Sequence, residues 1–139
     1  MSTHAGLNQY RQMQSHSQIA EASPHQLVAM LFQGSLDNLA VARGAIERDE
    51  LALKGEKIGR TLEIIDNLRT ALDMEAGGEV SLNLRDLYDY MAARLLKASV
   101  ENSVPMVEEV AGLLREIQQG WNAMPEEFKK APSRHAEDR

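Results

Sequence analysis

The sequence predicts an all-α fold, an antiparallel up-down four-helix bundle with a flexible N-terminal arm and a flexible C-terminal tail. Apolar residues recur at intervals of three and four in four segments of about 20 residues, which is the spacing of an amphipathic helix. Only six of the 139 residues are aromatic, so the core must consist mainly of Leu, Ile, Val, Met and Ala. That composition favours helices over sheets. Short corners between the segments favour antiparallel neighbours.

The first predicted helix follows a polar arm, residues 1–17, which we expect to be flexible. Ser23 can cap this helix, Pro24 suits its first position, and Gln26 completes a capping box. We expect the helix to end near Arg48. Its apolar positions are Leu27, Met30, Leu31, Leu36, Leu39, Ala42 and Ile46.

The second predicted helix covers residues 51–74 after a corner at Asp49 and Glu50. One face of it carries Ile58, Leu62, Ile65, Leu68 and Leu72. Residues 75–79 contain the pair Gly77 and Gly78. Because adjacent glycines disfavour helix, this segment predicts a loop.

The third predicted helix begins near Ser81 or Asn83 and ends near Glu101. A single face of it carries Leu84, Leu87, Tyr88, Met91, Leu95 and Ala98. Tyr90 falls at the margin of that face. A helix that buries one tyrosine and offers another at its edge is suited to holding a partner, although an ordinary core helix has the same composition.

The last predicted helix begins at residues 102–105, where Pro105 is tolerated in the first turn. Its apolar stripe consists of Val107, Val110, Leu114, Ile117 and Trp121. The sequence therefore predicts an arm at residues 1–17, a helical bundle at 18–124, and a charged, disordered tail at 125–139.

Composition excludes several classes of function. The net charge is −6 without a basic cluster, which argues against nucleic acid as a partner. The chain has no cysteine for a disulfide or a thiolate metal site, and this fits a cytoplasmic location. The N-terminus does not have the pattern of a secretory signal. No apolar run approaches the roughly 20 residues that span a bilayer, so no stable membrane insertion is expected.

The sequence does not predict an enzyme. It contains no inward-facing Glu-x-x-His pair for a di-iron site, no phosphate-binding Gly-Lys-Ser/Thr loop and no Gly-x-Ser-x-Gly elbow. His25 falls in a first helical turn, where we expect simple surface exposure. Asp86 and Asp89 share a helix face beside Arg85, away from the apolar stripe, which is typical of a solvated face. No catalytic residue, metal ligand or cofactor is predicted.

Several large apolar residues fall outside the single stripe that each helix needs. They are Val28, Phe32, Ile64, Tyr90 and Leu113. Exposed apolar surface beyond a few hundred Å² usually marks a binding site. Wide stripes in a small, tightly wrapped bundle are the alternative, and the pattern leaves both open.

Motifs along residues 8–124 resemble those of the flagellin-specific export chaperone family, FliS. The resemblance lies in the order and spacing of several short elements rather than in any single one. These elements are Tyr10, Ala22-Ser23-Pro24, Met30-Leu31-Phe32-Gln33-Gly34-Ser35-Leu36, Ile64-Ile65-Asp66-Asn67-Leu68, Leu72-Asp73, Gly77-Gly78-Glu79, Asn83-Leu84, Leu87-Tyr88-Asp89-Tyr90-Met91, Arg94-Leu95, Val110, Leu113-Leu114 and Trp121. Phe32 departs from the family pattern, in which Tyr is frequent, and so does Ser99, where Asn is common.

The resemblance implies a cytoplasmic bundle that binds the disordered C-terminal region of flagellin, prevents its premature polymerisation and delivers it to the flagellar export apparatus. In such proteins the N-terminal arm can lie over part of the binding surface when no client is present. No cofactor is implied.

The residues proposed to contact the client are Tyr10, Phe32, Ile64, Tyr90, Met91 and Leu113. These residues match the motifs and fall off, or at the edge of, the core stripes. The competing class is a signalling or structural bundle that self-associates through the same apolar edge. A homodimer in the client-free state is a related expectation.

Overall fold

The computed structural model describes residues 23–124, in which four helices follow one another without a strand. We number them α1 (Pro24–Glu47), α2 (Leu51–Thr70), α3 (Met74–Glu101) and α4 (Val104–Ala123). The predicted all-α bundle is confirmed. The predicted arm and tail, including Tyr10, lie outside the described residues.

The start of α1 has the predicted capping box. The Ser23 hydroxyl accepts a hydrogen bond from the backbone amide of Gln26 at 3.1 Å, and Oε1 of Gln26 accepts one from the amide of Ser23 at 2.9 Å. Two amides that have no partner inside the helix are thereby satisfied. Ser103 caps α4 in a similar way by accepting from the amide of Met106.

The predicted boundary between the second and third helices is wrong. α2 ends at Thr70, and Asp73 begins α3 by accepting hydrogen bonds from the amides of Glu75 and Ala76. An aspartate at this position is a strong helix start. It therefore places the end of α2 and the start of α3 earlier than the glycine pair suggested.

The predicted loop at residues 75–79 is a kink inside α3. Gly78 has φ 53° and ψ −128°, a backbone conformation that residues with a Cβ rarely adopt. Ser81 follows the kink and holds the helical turn that precedes it. Its hydroxyl donates to the carbonyl of Asp73 at 2.9 Å. The paired glycines thus change the direction of the helix instead of ending it.

Each helix packs mainly against two others, in the cyclic order α1, α2, α3, α4 and back to α1. Side-chain contacts show that neighbours are antiparallel. Arg43 near the end of α1 pairs with Glu108 near the start of α4, and Gln33 on α1 accepts a hydrogen bond from Gln118 farther along α4. Grooves consequently run between α1 and α2, α2 and α3, α3 and α4, and α4 and α1.

One hydrophobic core runs through the bundle. Its large, fully buried side chains come from all four helices and are Phe32, Leu39, Ile58, Ile65, Met91, Leu95, Val107, Val110 and Leu114. Two buried hydroxyls, Ser35 and Thr61, each donate to the carbonyl four residues earlier, so burial leaves neither unpaired. The predicted stripes of the helices are largely confirmed, but Leu27 on the predicted stripe of α1 is 40% exposed.

Candidate partner-binding surface

α3 carries most of the large apolar side chains that are exposed in the described part of the chain. Six of the nine lie on it, whereas α4 has none. The six are Met74, Val80, Leu82, Tyr90, Leu96 and Val100. We call Leu82, Leu96 and Val100 the α3 outer strip.

The α3 outer strip follows from the helical repeat. Leu96 and Val100 are four residues apart and share a face, and Leu82 lies four turns earlier on it. That face points away from Met91 and Leu95, which are fully buried. Leu96 is 57% exposed and Val100 is 83% exposed, so the bundle itself does not cover them. The strip is available to another molecule.

A polar cluster borders the groove between α3 and α4. Oη of Tyr90 donates to Oε2 of Glu109 at 2.5 Å, and Nε of Arg94 donates to Oε1 of the same carboxylate at 2.9 Å. The Arg94 guanidinium lies 5.9 Å from the centre of the Tyr90 ring, within the range of a cation–π contact. The ring itself is 44% exposed. Tyr90 is therefore held by its hydroxyl while its ring stays accessible.

The hydrogen bonds in this cluster shift the pKa values of Glu109 and Tyr90. Hydrogen bonds from Tyr90 and Arg94 lower the pKa of Glu109, which keeps it ionised. The hydrogen bond to Glu109 raises the pKa of the Tyr90 hydroxyl.

A similar exposed pair lies between α2 and α3, where Arg69 donates to Asp89 at 2.6 Å and lowers the pKa of that carboxylate. Asp89 is therefore the partner of Arg69 in an ion pair and not a free carboxylate.

Two of the sequence-predicted contact residues border the same groove. Leu113 lies one turn beyond Glu109 on α4, on the same face, and Glu109 binds Tyr90. Leu113 is partly buried against the core. Tyr90 and Leu113 thus flank the groove between α3 and α4.

Ile64 lies at a different groove. A Cβ at Gly34 of α1 would lie 3.8 Å from Cδ1 of Ile64, so the Ile64 side chain faces α1. It is partly buried against the core. One partner that contacts both Ile64 and Tyr90 must extend around the bundle.

Phe32 and Met91 lie in the core. They are 1% and 0% exposed. The expectation that Phe32 falls outside the core stripe of its helix is wrong, because α1 packs more extensively against its two neighbours than any other helix does and buries a wider arc than one stripe. In this conformation neither side chain forms part of the surface.

Sequence reasoning missed the α3 outer strip. The off-stripe criterion that selected Tyr90 also applies to Leu96 and Val100, which fall outside the stripe formed by Tyr88, Met91 and Leu95. The signal was therefore present. The motif elements that match the family on this helix end at Leu95, so they do not include Leu96 or Val100.

His25 is not simply exposed, as its sequence position had suggested. Its ring stacks on Trp121 with the ring centres 5.0 Å apart and an angle of 9° between the planes. Nε2 of His25 donates to the carbonyl of Trp121 at 3.2 Å, and Nε1 of Trp121 donates to the carbonyl of His25 at 3.0 Å. These contacts join the start of α1 to the end of α4.

Within residues 23–124, no group of three or more His, Cys, Asp or Glu side chains is arranged to hold a metal ion. In the same range, no helix combines the length and apolar character needed to cross a bilayer.

Comparisons with known proteins identify the family of this chain. Residues 6–127 match the family model described as flagellar protein FliS. The chain is 45% identical over 118 residues to flagellar secretion chaperone FliSB of Pseudomonas aeruginosa, covering 85% of this chain and 94% of that protein. It is 44% identical over 122 residues to flagellar secretion chaperone FliS of Salmonella typhimurium, covering 87% and 90%.

A more distant relative extends the match. The chain is 32% identical over 114 residues to flagellar secretion chaperone FliS of Bacillus subtilis, covering 82% of this chain and 84% of that protein. The chain therefore belongs to the FliS family of flagellar secretion chaperones, whose role is not enzymatic.

Proposed function

We propose that this chain is a cytoplasmic flagellar export chaperone that binds the disordered C-terminal segment of flagellin. Binding prevents premature polymerisation, and the complex delivers flagellin to the export apparatus. The observation that carries this proposal is the concentration of exposed apolar side chains on α3 in a chain of the FliS family.

The energetics suit recognition of a helix-forming client. A disordered segment that folds on binding loses about 2–5 kcal/mol or more of the gross interaction energy to ordering. Fully burying one exposed Leu or Val contributes roughly 1.5–3 kcal/mol. Leu82, Leu96 and Val100 are 43%, 57% and 83% exposed, so covering the exposed parts of all three would contribute about 3–5 kcal/mol, which is comparable with the ordering cost and requires no nucleotide or other cofactor.

The proposed direct contacts are Tyr90 and Leu113 at the groove between α3 and α4, the α3 outer strip, and Ile64 near α1. These positions lie on different sides of the bundle, which suits a long, unfolded client better than a compact one. Tyr10 is the proposed contact from the N-terminal arm. Phe32 and Met91 are left out of the direct contacts because they are buried.

The experiment is calorimetric titration of the full chain with flagellin that retains or lacks its C-terminal region. Leu96→Asp and Tyr90→Ala are expected to weaken binding about tenfold or more. Val41→Asp is the matched control, because Val41 is an exposed apolar residue of α1 outside the proposed contacts, and it should bind as the wild type does. Equal binding of both flagellins would contradict the proposal.

Size-exclusion chromatography separates this function from the competing one. A chaperone forms a defined mixed complex with flagellin. A self-associating signalling or structural bundle forms the same oligomer whether or not flagellin is present. Circular dichroism of each variant confirms that it remains folded.

A further inference from the structure

We propose that Glu109 is a positioning residue that holds the Tyr90 ring ready for the client. This inference rests on the proposed function, because it assigns Glu109 to the groove between α3 and α4 where the client is expected to bind. Glu109 itself is not required to touch the client.

Both oxygens of the Glu109 carboxylate are engaged. Oε2 accepts from Oη of Tyr90 at 2.5 Å, while Oε1 accepts from Nε of Arg94 at 2.9 Å and forms an ion pair with Nη2 of Arg94 at 2.8 Å. Arg94 lies one turn beyond Tyr90 on α3, and Glu109 lies on α4. The carboxylate therefore links a side chain of one helix to two side chains of the other, which fixes the hydroxyl end of Tyr90.

The fixed hydroxyl changes what Tyr90 offers to a partner. An exposed tyrosine without a partner samples several rotamers, and a client that immobilises it must overcome that lost freedom. In this cluster the hydroxyl is already bound, while the ring is 44% exposed. A client would meet an apolar ring in one orientation and would not need to supply a hydrogen-bond partner for the hydroxyl.

The same contacts contribute little to the stability of the bundle. The Arg94 and Glu109 side chains are 29% and 37% exposed, and ion pairs that are this accessible are weak. The contribution of these contacts to the free energy of unfolding is therefore expected to be small. Removing the Glu109 carboxylate is expected to change client binding while the midpoint of thermal unfolding stays nearly constant.

The test is a double-mutant cycle read by calorimetric titration with flagellin that retains its C-terminal region. Glu109→Ala is expected to weaken binding about three- to tenfold. Glu108→Ala is the matched control: it removes the same charge from the adjacent position, but Glu108 pairs with Arg43 on α1, at the other side of α4. It should change the affinity by less than about twofold.

The cycle distinguishes positioning from direct contact. In a Tyr90→Ala background, Glu109→Ala is expected to cause no further loss, since there is no ring left to hold. An undiminished loss in that background would show that Glu109 acts independently of Tyr90 and would overturn the proposal. If the wild-type chain itself binds no flagellin, the proposed function fails together with this inference.

A second measurement on the free protein tests the geometry without a client. Nuclear magnetic resonance of ¹³Cζ-labelled tyrosine follows the titration of Tyr90. The hydrogen bond to Glu109 raises the pKa of that hydroxyl, so Glu109→Ala should lower it and Glu108→Ala should not. An unchanged Tyr90 pKa in Glu109→Ala would mean that the carboxylate does not hold the ring.

Discussion

Nζ of Lys54 lies 2.7 Å from Oδ1 of Asn102, and this hydrogen bond joins the start of α2 to the end of α3. The same ammonium group donates to the carbonyl of Ser99 at 2.8 Å. Asn102 adopts the left-handed conformation, with φ 52°, that commonly ends a helix. A positive charge at this point also complements the negative end of the helix dipole. Lys54 is only 9% exposed, so it serves as a buried cap for α3.

Replacing Lys54 should destabilise the bundle. Lys54→Met keeps most of the side-chain volume but leaves the Ser99 carbonyl and the side-chain oxygen Oδ1 of Asn102 without their donor. We expect the free energy of unfolding to fall by about 1–3 kcal/mol. Urea denaturation followed by circular dichroism measures the change, with exposed Lys97→Met as the control, expected within about 0.5 kcal/mol of wild type. Equal effects of the two substitutions would show that the cap has no energetic role.

Substitution of two glycines by alanine should change the stability of the bundle in opposite directions. At Gly34 a new Cβ would be in ordinary contact with Ile64 at 3.8 Å, so Gly34→Ala should gain about 0.5–1 kcal/mol of stability from helix propensity. At Gly78 the positive φ is unfavourable for alanine. Gly78→Ala should therefore lose about 1 kcal/mol or more. Thermal unfolding compares the two proteins directly, and a stabilised Gly78→Ala would show that the kink straightens.

Stability should fall at high pH because of Tyr88. Burial raises the pKa of its hydroxyl to about 12, whereas an unfolded tyrosine titrates near pH 10. Because the pKa of Tyr88 is higher in the folded state, the stability that this difference contributes is fully present below about pH 10 and is lost as the pH rises toward 12. At pH 11 the loss should be about 1.4 kcal/mol.

The matched variant for that measurement is Tyr88→Phe, which keeps the ring and removes the titrating group. Denaturation of both proteins from about pH 8 to 11 isolates the Tyr88 contribution from that of the other tyrosines and lysines. The difference in unfolding free energy between the two should stay constant up to about pH 9.5 and then shift in favour of Tyr88→Phe. Parallel curves over the whole range would argue against a buried hydroxyl.

The stacked pair of His25 and Trp121 should stabilise the end of the bundle where α1 begins and α4 ends. His25→Ala removes the ring stack and one hydrogen bond and should cost about 1–2 kcal/mol. His25→Phe preserves a ring for stacking and should cost less. Trp121 is the only tryptophan, so its emission should shift to longer wavelength in His25→Ala as solvent reaches the indole. An unshifted spectrum would indicate that the stack does not form in solution.

Local signals predicted the helices well. Ser23 and Gln26 specify the start of α1 through atoms only three residues apart. The boundary near Asp73 was missed because two local signals compete there, and the aspartate cap prevailed over the glycine pair. Tyr88 and Tyr90 followed the helical repeat, with the first at 3% exposure and the second at 44%.

The candidate surface could be predicted only in part. The position of Tyr90 at the edge of a stripe predicts its exposure correctly, whereas the same criterion places Phe32 outside the core although it is buried. The extent of packing of α1 against α2 and α4 decides the width of its buried arc, and that extent is a property of the packed bundle. The pairing of Tyr90 with Glu109 joins residues 19 positions apart on two helices, so no periodicity within either helix predicts it.

The sequence by itself determined the four helices, the capping box at the start of α1 and most of the apolar face that each helix turns inward, because these depend on spacings of a few residues. Only the tertiary structure decided that Lys54 is buried as the cap of another helix and that Leu96 and Val100 remain uncovered. Burial depends on which helices become neighbours and how far they extend past one another. Those relationships join residues that are distant along the chain, and they exist only once the bundle is packed.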